Sequence, residues 1–370
     1  MAIGDNNEKR LLSLDFFRGA TMFLLIAEGT GLYESLRDVA GPNAFFSSLV
    51  LQFFHHPWHG LRFWDLIQPF FMFIVGVAMV FSLEKRWARG DAWMKTALHI
   101  LIRCLILLLL GVMLHCVYSG RIVWELWNVL SQLSFTVLLA FLLFRLPMGL
   151  QLAITAVLLI ATETAYRLFP VEGFNHPFVQ GQNFGSWMDM VLMGKMNPDG
   201  WVAINCVPTA CHTIWGVLAG QVLFSQRRNK NKLRLLALGG LACLVAGYGL
   251  DLTGTTPIIK RICTSSFILS SGGWCLLVLA ASYWIIDILK MRKWTFFFSV
   301  VGMNSILIYL VGGTVGPQWF NGFVGIFTGG VMGWLGLSTE WVAVLTSLTV
   351  LALEWCLCLW LYRKKIFLRI

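Results

Sequence analysis

The stretch from His55 to Gly76, HHPWHGLRFWDLIQPFFMFIVG, sets ionisable chemistry against the entrance of an apolar run. Three histidines (His55, His56, His59), two tryptophans (Trp58, Trp64) and Asp65 crowd the last polar residues before it. From Leu66 to Leu83 no residue carries a formal charge. An uncharged apolar stretch of about 18 residues or more reads as a bilayer-spanning helix, because lipid offers the backbone no hydrogen-bond partner except itself. Imidazole titrates at roughly 6.5, nearer working pH than any other side chain, so histidines at such an entrance are candidates for proton or group transfer.

The rest of the chain repeats the apolar half of this pattern. Of 370 residues, 58% are hydrophobic and 12% charged, with mean hydropathy +0.73, against about 25% charged in soluble domains. The expectation is an all-α, polytopic membrane protein with about ten spans, since each crossing needs about 20 apolar residues. The span cores fall near 11–33, 63–84, 97–118, 124–144, 149–169, 201–224, 235–253, 263–287, 295–313 and 339–361. No linker, low-complexity stretch or fixed-period repeat divides residues 1–370, so one transmembrane domain is expected. The loops 34–62, 170–200 and 314–338 carry Pro, Gly, Asn or Trp in the manner of ordered caps, and the last is apolar enough for a short re-entrant or interfacial segment.

Basic residues alternate along the chain. Lys9 and Arg10 precede the first span; Lys85, Arg86, Arg89 and Lys95 follow the second, with Arg145 between the fourth and fifth. Arg227, Arg228, Lys230, Lys232 and Arg234 follow the sixth, Lys290, Arg292 and Lys293 the eighth, and Arg363, Lys364, Lys365 and Arg369 the last. Short Lys/Arg-rich loops stay cytoplasmic, so both termini are expected in the cytoplasm and the histidine cluster on the outer face. The net charge of +10 sits in these short loops without an aromatic-interleaved basic domain, which argues against nucleic acid. The nine cysteines show neither CxxC nor zinc spacing and read as small buried apolar residues, so no metal is expected. Asp15 and Arg18 inside the first hydrophobic stretch favour a retained span over a cleaved signal.

Ionisable groups inside spans cost about 2.5 to 3.5 kcal/mol each near the bilayer centre, so each needs a partner or a task. Asp15 and Arg18, three apart, read as a local ion pair or as a pair facing a polar cavity and an anionic cofactor. Glu28 lies one helix length further out, about 15 Å at 1.5 Å per residue, level with His55 and Asp65. It reads either as a water-facing carboxylate or as an orienting acid for imidazole. Asp65 reads as a helix-capping acid, a histidine partner, or both. Arg103, His115 and His212 read as bundle-interior residues, and Asn128, Ser131, Gln132, Asn304 and Ser305 as interhelical hydrogen-bonders. Lys260 and Arg261 lie outside, against the charge rule, with Thr264, Ser265 and Ser266 a turn later, which suggests a polar cavity mouth.

RLLSLDFFRG (10–19), then His55, Trp58, Gly60, Asp65 and Pro69 leading into FMFIVGVA, resembles the signature of the heparan-α-glucosaminide N-acetyltransferase family and its bacterial homologues. NPDG (197–200), GVLAG (216–220), PIIKRICTSSF (257–267) and GMNSILIY (302–309) resemble further family elements in order. The likeness covers nearly the whole chain once the extra N-terminal span and luminal domain of animal members are set aside. Two features depart from it: Glu28 stands where animal members carry a supporting asparagine, and the loop to the histidine is longer.

The resemblance implies an acetyl-CoA-dependent N-acetyltransferase that moves acetyl from cytosolic acetyl-CoA to the amine of a glucosamine-type sugar across the membrane. It places the chain in a bacterial inner membrane. The family's essential histidine, described as acetylated intermediate or as general base, maps to His55 by the tryptophan spacing, with His56 the runner-up. Asp65 and Glu28 become its carboxylate partners. A lane from Arg18 through Asn128, Gln132, Asn304 and Ser305 is expected to carry the donor. Trp58, His59, Asp199, Lys260 and Ser266 are expected to meet the acceptor. A homodimer is compatible with this reading. The rival from another class is a proton-coupled sugar transporter, which would show inverted repeats and broken helices near the midplane.

Overall fold

The structure, a computed structural model, describes residues 11–41 and 43–368. Lys9, Arg10 and Arg369 of the charge pattern lie outside them. Fifteen α-helices follow one another: α1 Leu12–Gly29, α2 Leu32–Ala40, α3 Ala44–Val50, α4 Ile67–Ala88, α5 Trp93–Ser119, α6 Val129–Leu143, α7 Met148–Arg167, α8 Phe184–Met193, α9 Cys206–Phe224, α10 Asn229–Leu252, α11 Ser265–Ser282, α12 Thr295–Met303, α13 Ser305–Val315, α14 Asn321–Trp334 and α15 Thr339–Arg363. Short 3₁₀ turns precede α4 (63–66) and α9 (203–205), and π-type turns follow α11 and α13. Among the described residues no strand is formed, only one isolated antiparallel bridge, His59 to Ile259.

Every expected span core contains helix, but among the described residues seven helices are long and apolar enough to cross a membrane, eight if the bent α12–α14 segment counts as one. Three differences account for the gap from ten. Helix α1 carries Asp15, Arg18 and Glu28 in 18 residues. Helix α6 has only 15 residues, because Asn128 caps it, accepting from Leu130 N at 2.8 Å, after an unwound stretch. The expected straight span 295–313 breaks at Asn304, where the axis bends by 76°. Loop 314–338, expected as a cap or re-entrant segment, is mostly helix α14.

The bundle is layered by sequence composition. Of the apolar windows, 83% of the α9 window and 67% of the α4 window are buried, against 17% in α7 and α10; α9 and α4 form the heart of the bundle, and α7 and α10 expose their leucines. Small residues let the central pair touch. A methyl group at Gly76 would lie 2.0 Å from Thr213 O, and one at Gly216 2.1 Å from Phe73 O, so α4 and α9 meet backbone to backbone, as small-residue contacts allow in membrane helices.

The two ends of the bundle differ in chemistry. Ser13 N donates to Asp287 at 3.2 Å, Phe296 packs on Tyr362 at 5.6 Å, Arg145 covers Trp87 at 4.7 Å and Tyr283 donates to Asn229 at 2.9 Å. These contacts gather the start of α1, the end of α15 and the basic loops at one end, the basic end. The His55 loop, α2, α3, α8 and the 253–264 loop cap the opposite, histidine end.

Candidate active site

At the histidine end two irregular segments meet. Gly60 N donates to Ile258 O at 2.8 Å and, with the His59–Ile259 bridge, pins the histidine loop to the loop that carries Lys260. Gly60 takes φ 139°, and a side chain there would strike the His56 ring at 2.6 Å, so the turn requires glycine.

Asp65 sits in the first turn before α4 and is fully buried. Its Oδ2 accepts from Arg62 N at 2.9 Å and His56 N at 3.2 Å, and its Oδ1 lies 2.9 Å from His55 Nδ1. Cap and histidine partner are thus one residue, each oxygen serving one duty. Arg62 Nη1 also donates to His55 O at 3.0 Å, fixing the backbone that carries the ring.

Lys260 comes from the opposite loop, 5% exposed. Its Nζ lies 3.1 Å from His55 Nδ1 and 3.7 Å from Asp65 Oδ1, and 5.4 Å from the Trp201 ring centre. One imidazole nitrogen either donates or accepts, so Nδ1 serves one neighbour at a time. The shorter contact is to the carboxylate, which places the proton on Nδ1 and leaves Nε2 as a lone pair. Burial and then the Lys260 charge pull the His55 pKa down to about 4, against the pull of Asp65. Burial lowers Lys260 to about 8, with Asp65 opposing. A neutral imidazole beside an ammonium and a carboxylate is the resting state near neutral pH.

The pair opens onto a cavity of about 320 Å³ among the membrane helices. Of the expected site residues, His55, Glu28, Asn128, Gln132 and Lys260 line it. Glu28 does not bond His55; its Oε1 accepts from Trp64 Nε1 at 2.9 Å. Gln132 is paired with Gln68, which also lines the cavity.

The other expected residues lie elsewhere. Arg18 Nη2 bonds Asp15 Oδ1 at 3.0 Å, nearer the basic end of α1. Asn304, expected on the donor lane, holds the last described residues instead: its amide donates to Ile366 O and accepts from Leu368 N, both at 3.0 Å. Ser305 begins α13 beyond that break. Among the expected acceptor contacts, Trp58 Nε1 donates to Phe178 O at 2.8 Å and His59 Nε2 meets Asp251 Oδ1 at 2.7 Å on the surface. Asp199 is exposed in its turn, its carbonyl taken by Arg261. Buried Ser266 donates to Pro257 O at 2.8 Å, shaping the Lys260 loop. His56 lies beside the site, its Nδ1 buried without a partner.

Residues outside the expected site complete the wall. Trp201 stands edge-on to His55 with ring centres 5.4 Å apart, and Trp127, Tyr309, Tyr118 and Asn197 line the cavity with His115. Trp201 directly follows the NPDG turn, the one local signal that could have marked it. Among the described residues no group of three or more His, Cys, Asp or Glu is placed to hold a metal ion.

No family model matches the sequence. The human heparan-alpha-glucosaminide N-acetyltransferase (Homo sapiens) is 24% identical over 430 aligned residues, covering 98% of this chain and 60% of that protein. The mouse protein of the same name (Mus musculus) is 23% identical over 372 residues, covering 82% of this chain and 53% of its own length. The chain therefore spans only slightly more than half the length of the curated relatives it matches. Breadth of alignment at this identity makes the chain a distant relative of these two N-acetyltransferases.

Proposed function

We propose that the chain is a membrane N-acetyltransferase that moves acetyl from acetyl-CoA at its basic end to the amine of a glucosamine-type sugar at its histidine end. The observation that carries the reading is His55: a neutral imidazole, Nδ1 tied to a buried carboxylate, at the wall of a cavity inside the bundle. The names of the two relatives support the reaction class. The same names disfavour a proton-coupled sugar transporter.

The acceptor amine attacks the thioester carbonyl only when unprotonated. The forming N–C bond acidifies the amine, His55 Nε2 takes its proton, the C–S bond breaks and the proton passes to the departing sulfur. Asp65 holds the tautomer and stabilises the imidazolium while it lasts. Lys260, a cation in a water-poor wall, suits the oxygen that becomes negative in the tetrahedral intermediate. In a covalent route the same Nε2 attacks the thioester first, the C–S bond breaks and CoA leaves as its thiolate; the acceptor amine then attacks the acetyl-imidazole, and its proton goes to the released Nε2 or the thiolate. Arg18, Arg86 and Arg103, carried by α1, α4 and α5, supply guanidinium groups suited to the donor's phosphates at the basic end. The slender arm then reaches past Gln132 and Asn128, which leaves Asn304 and Ser305 off the path. This orientation puts both chain ends on the cytoplasmic side of a bacterial inner membrane, following the positive loops.

Purified protein given acetyl-labelled acetyl-CoA and glucosamine should yield labelled N-acetylglucosamine, and His55→Ala should lose roughly 100- to 10,000-fold, the range for a positioned general base. Equal labelling by both proteins would remove His55 as the reacting group. Label held on the wild-type protein without acceptor would select the covalent route.

A further inference from the structure

The wall of the cavity formed by α5 and the stretch after it carries a second histidine–carboxylate pair that the transfer step does not use. After Gly120 the chain leaves helix geometry until Asn128, and Cys116 folds it back: Val123 N donates to its sulfur at 3.3 Å, and the sulfur donates to Val123 O at 3.4 Å. That return sets Glu125 against His115, with Nδ1 2.8 Å from Oε2. Lys195 pairs with the other oxygen of Glu125, and its ammonium stands 6.0 Å from the Trp127 ring centre. Trp127 is fixed in turn, its Nε1 donating to Asp189 Oδ2 at 2.7 Å, while Asp189 Oδ1 accepts from Ala203 N at 2.8 Å. His115 and Trp127 line the same cavity as His55.

The chemistry of this wall is specific. A carboxylate held by Lys195 takes the proton-bearing Nδ1 of His115, so the ring's other nitrogen is an acceptor. An acceptor nitrogen recognises O–H or N–H groups and gains nothing from a carboxylate, a phosphate or a carbonyl. Beside it stands an indole that cannot turn, a flat apolar face with its polar edge already satisfied. A hydroxyl acceptor next to a rigid apolar plate matches a saturated ring bearing hydroxyl groups, one face carbon-rich and the rim polar.

We propose that His115, Glu125 and Trp127 form an acceptor-recognition subsite that takes a hydroxyl of a polyhydroxylated ring amine whose nitrogen lies at His55, selecting hydroxylated amines over plain ones. This inference rests on the transfer reading above for its substrate and adds the source of its selectivity. His115 here is a specificity residue that binds the part of the acceptor that does not react.

The test compares glucosamine with cyclohexylamine, a ring amine without hydroxyls, on wild type, His115→Phe and Glu125→Gln. Acetyl transfer is followed together with direct binding, read as tryptophan fluorescence quenching without donor. Expected for His115→Phe is an about tenfold rise in glucosamine KM and Kd, about 1.4 kcal/mol or one hydrogen bond. Its kcat, acetyl-CoA KM and cyclohexylamine turnover should stay within about twofold, which also shows that the variant folds. Glu125→Gln, which keeps the ring but loosens it, should show the same pattern, weaker. Equal losses on both amines, or a fall in kcat with glucosamine Kd intact, would overturn the subsite. If the wild type binds glucosamine through His115 yet transfers no acetyl, the transfer reading fails and the subsite survives. If it acetylates glucosamine and His115→Phe binds it equally well, the subsite fails alone.

Discussion

Two histidine–aspartate pairs sit four residues apart in one loop with nearly the same geometry, His55–Asp65 at 2.9 Å and His59–Asp251 at 2.7 Å. Their surroundings differ. Asp65 is 1% exposed in its side chain and accepts from two backbone N–H groups, with the Lys260 ammonium 3.1 Å from the imidazole Nδ1; Asp251 is 20% exposed and its histidine 56%. Asp251 Oδ1 also accepts from Ile258 N at 2.8 Å, so the outer pair anchors a loop. The distance between imidazole and carboxylate does not make a reactive site. Burial, a nearby cation and an open cavity are what set the inner pair apart.

The comparison breaks most visibly at Asp65. Asp65→Asn keeps the shape but offers Nδ1 an amide, allowing the wrong tautomer; acetyl transfer should fall by at least about 100-fold with the bundle still folded by circular dichroism. A loss below about fivefold would reduce Asp65 to its capping duty.

Lys260→Met sharpens the comparison by making the inner pair more like the outer one. His55 is held below its ordinary range by burial and then by Lys260, so it stays neutral until pH approaches about 4. The sign follows: a lowered histidine value means stability present above about 6.5 and lost as pH falls toward 4. Without the cation, the acid limb of the rate–pH profile should move up from about 4 toward the ordinary value. An unmoved limb would show that burial alone sets it.

The smallest effect belongs to the outer pair. His59→Ala should leave transfer within about twofold and lower thermal stability by no more than about 1 kcal/mol, the usual worth of a solvent-accessible pair. A hundredfold loss of transfer would put His59 back among the acceptor contacts.

The spans were legible because a bilayer imposes about 20 apolar residues per crossing and leaves little room for ambiguity. The departures arise where a local event interrupts that demand: Asn128 starting α6 late, Asn304 breaking the next-to-last span, three ionisable residues in α1. The site was legible where its residues are close in sequence, as His55 and Asp65 are. Lys260 stood out as a positive charge at the wrong end, though its contact is with His55 itself. Trp201 and Trp127 carried no such mark, and His115 read only as a bundle-interior residue, because the cavity wall is assembled from elements far apart in the chain and no periodicity records that convergence. Trp58 and His59, the sequence neighbours of His55, tie loops together instead of lining the cavity: Trp58 bonds Phe178 O and His59 bonds Asp251.

The single bridge between His59 and Ile259 sets the alignment of the two loops. In a paired extended segment, neighbouring side chains point to opposite faces, so a slip of one residue exchanges what each face presents. Lengthening the 253–258 turn by one position would bring Ile259 to the place now held by Lys260. His55 would keep every atom of its own loop and still lose its cation. The chemistry of this end is therefore held in phase by one backbone contact, like two rows of teeth meshed at a single pair.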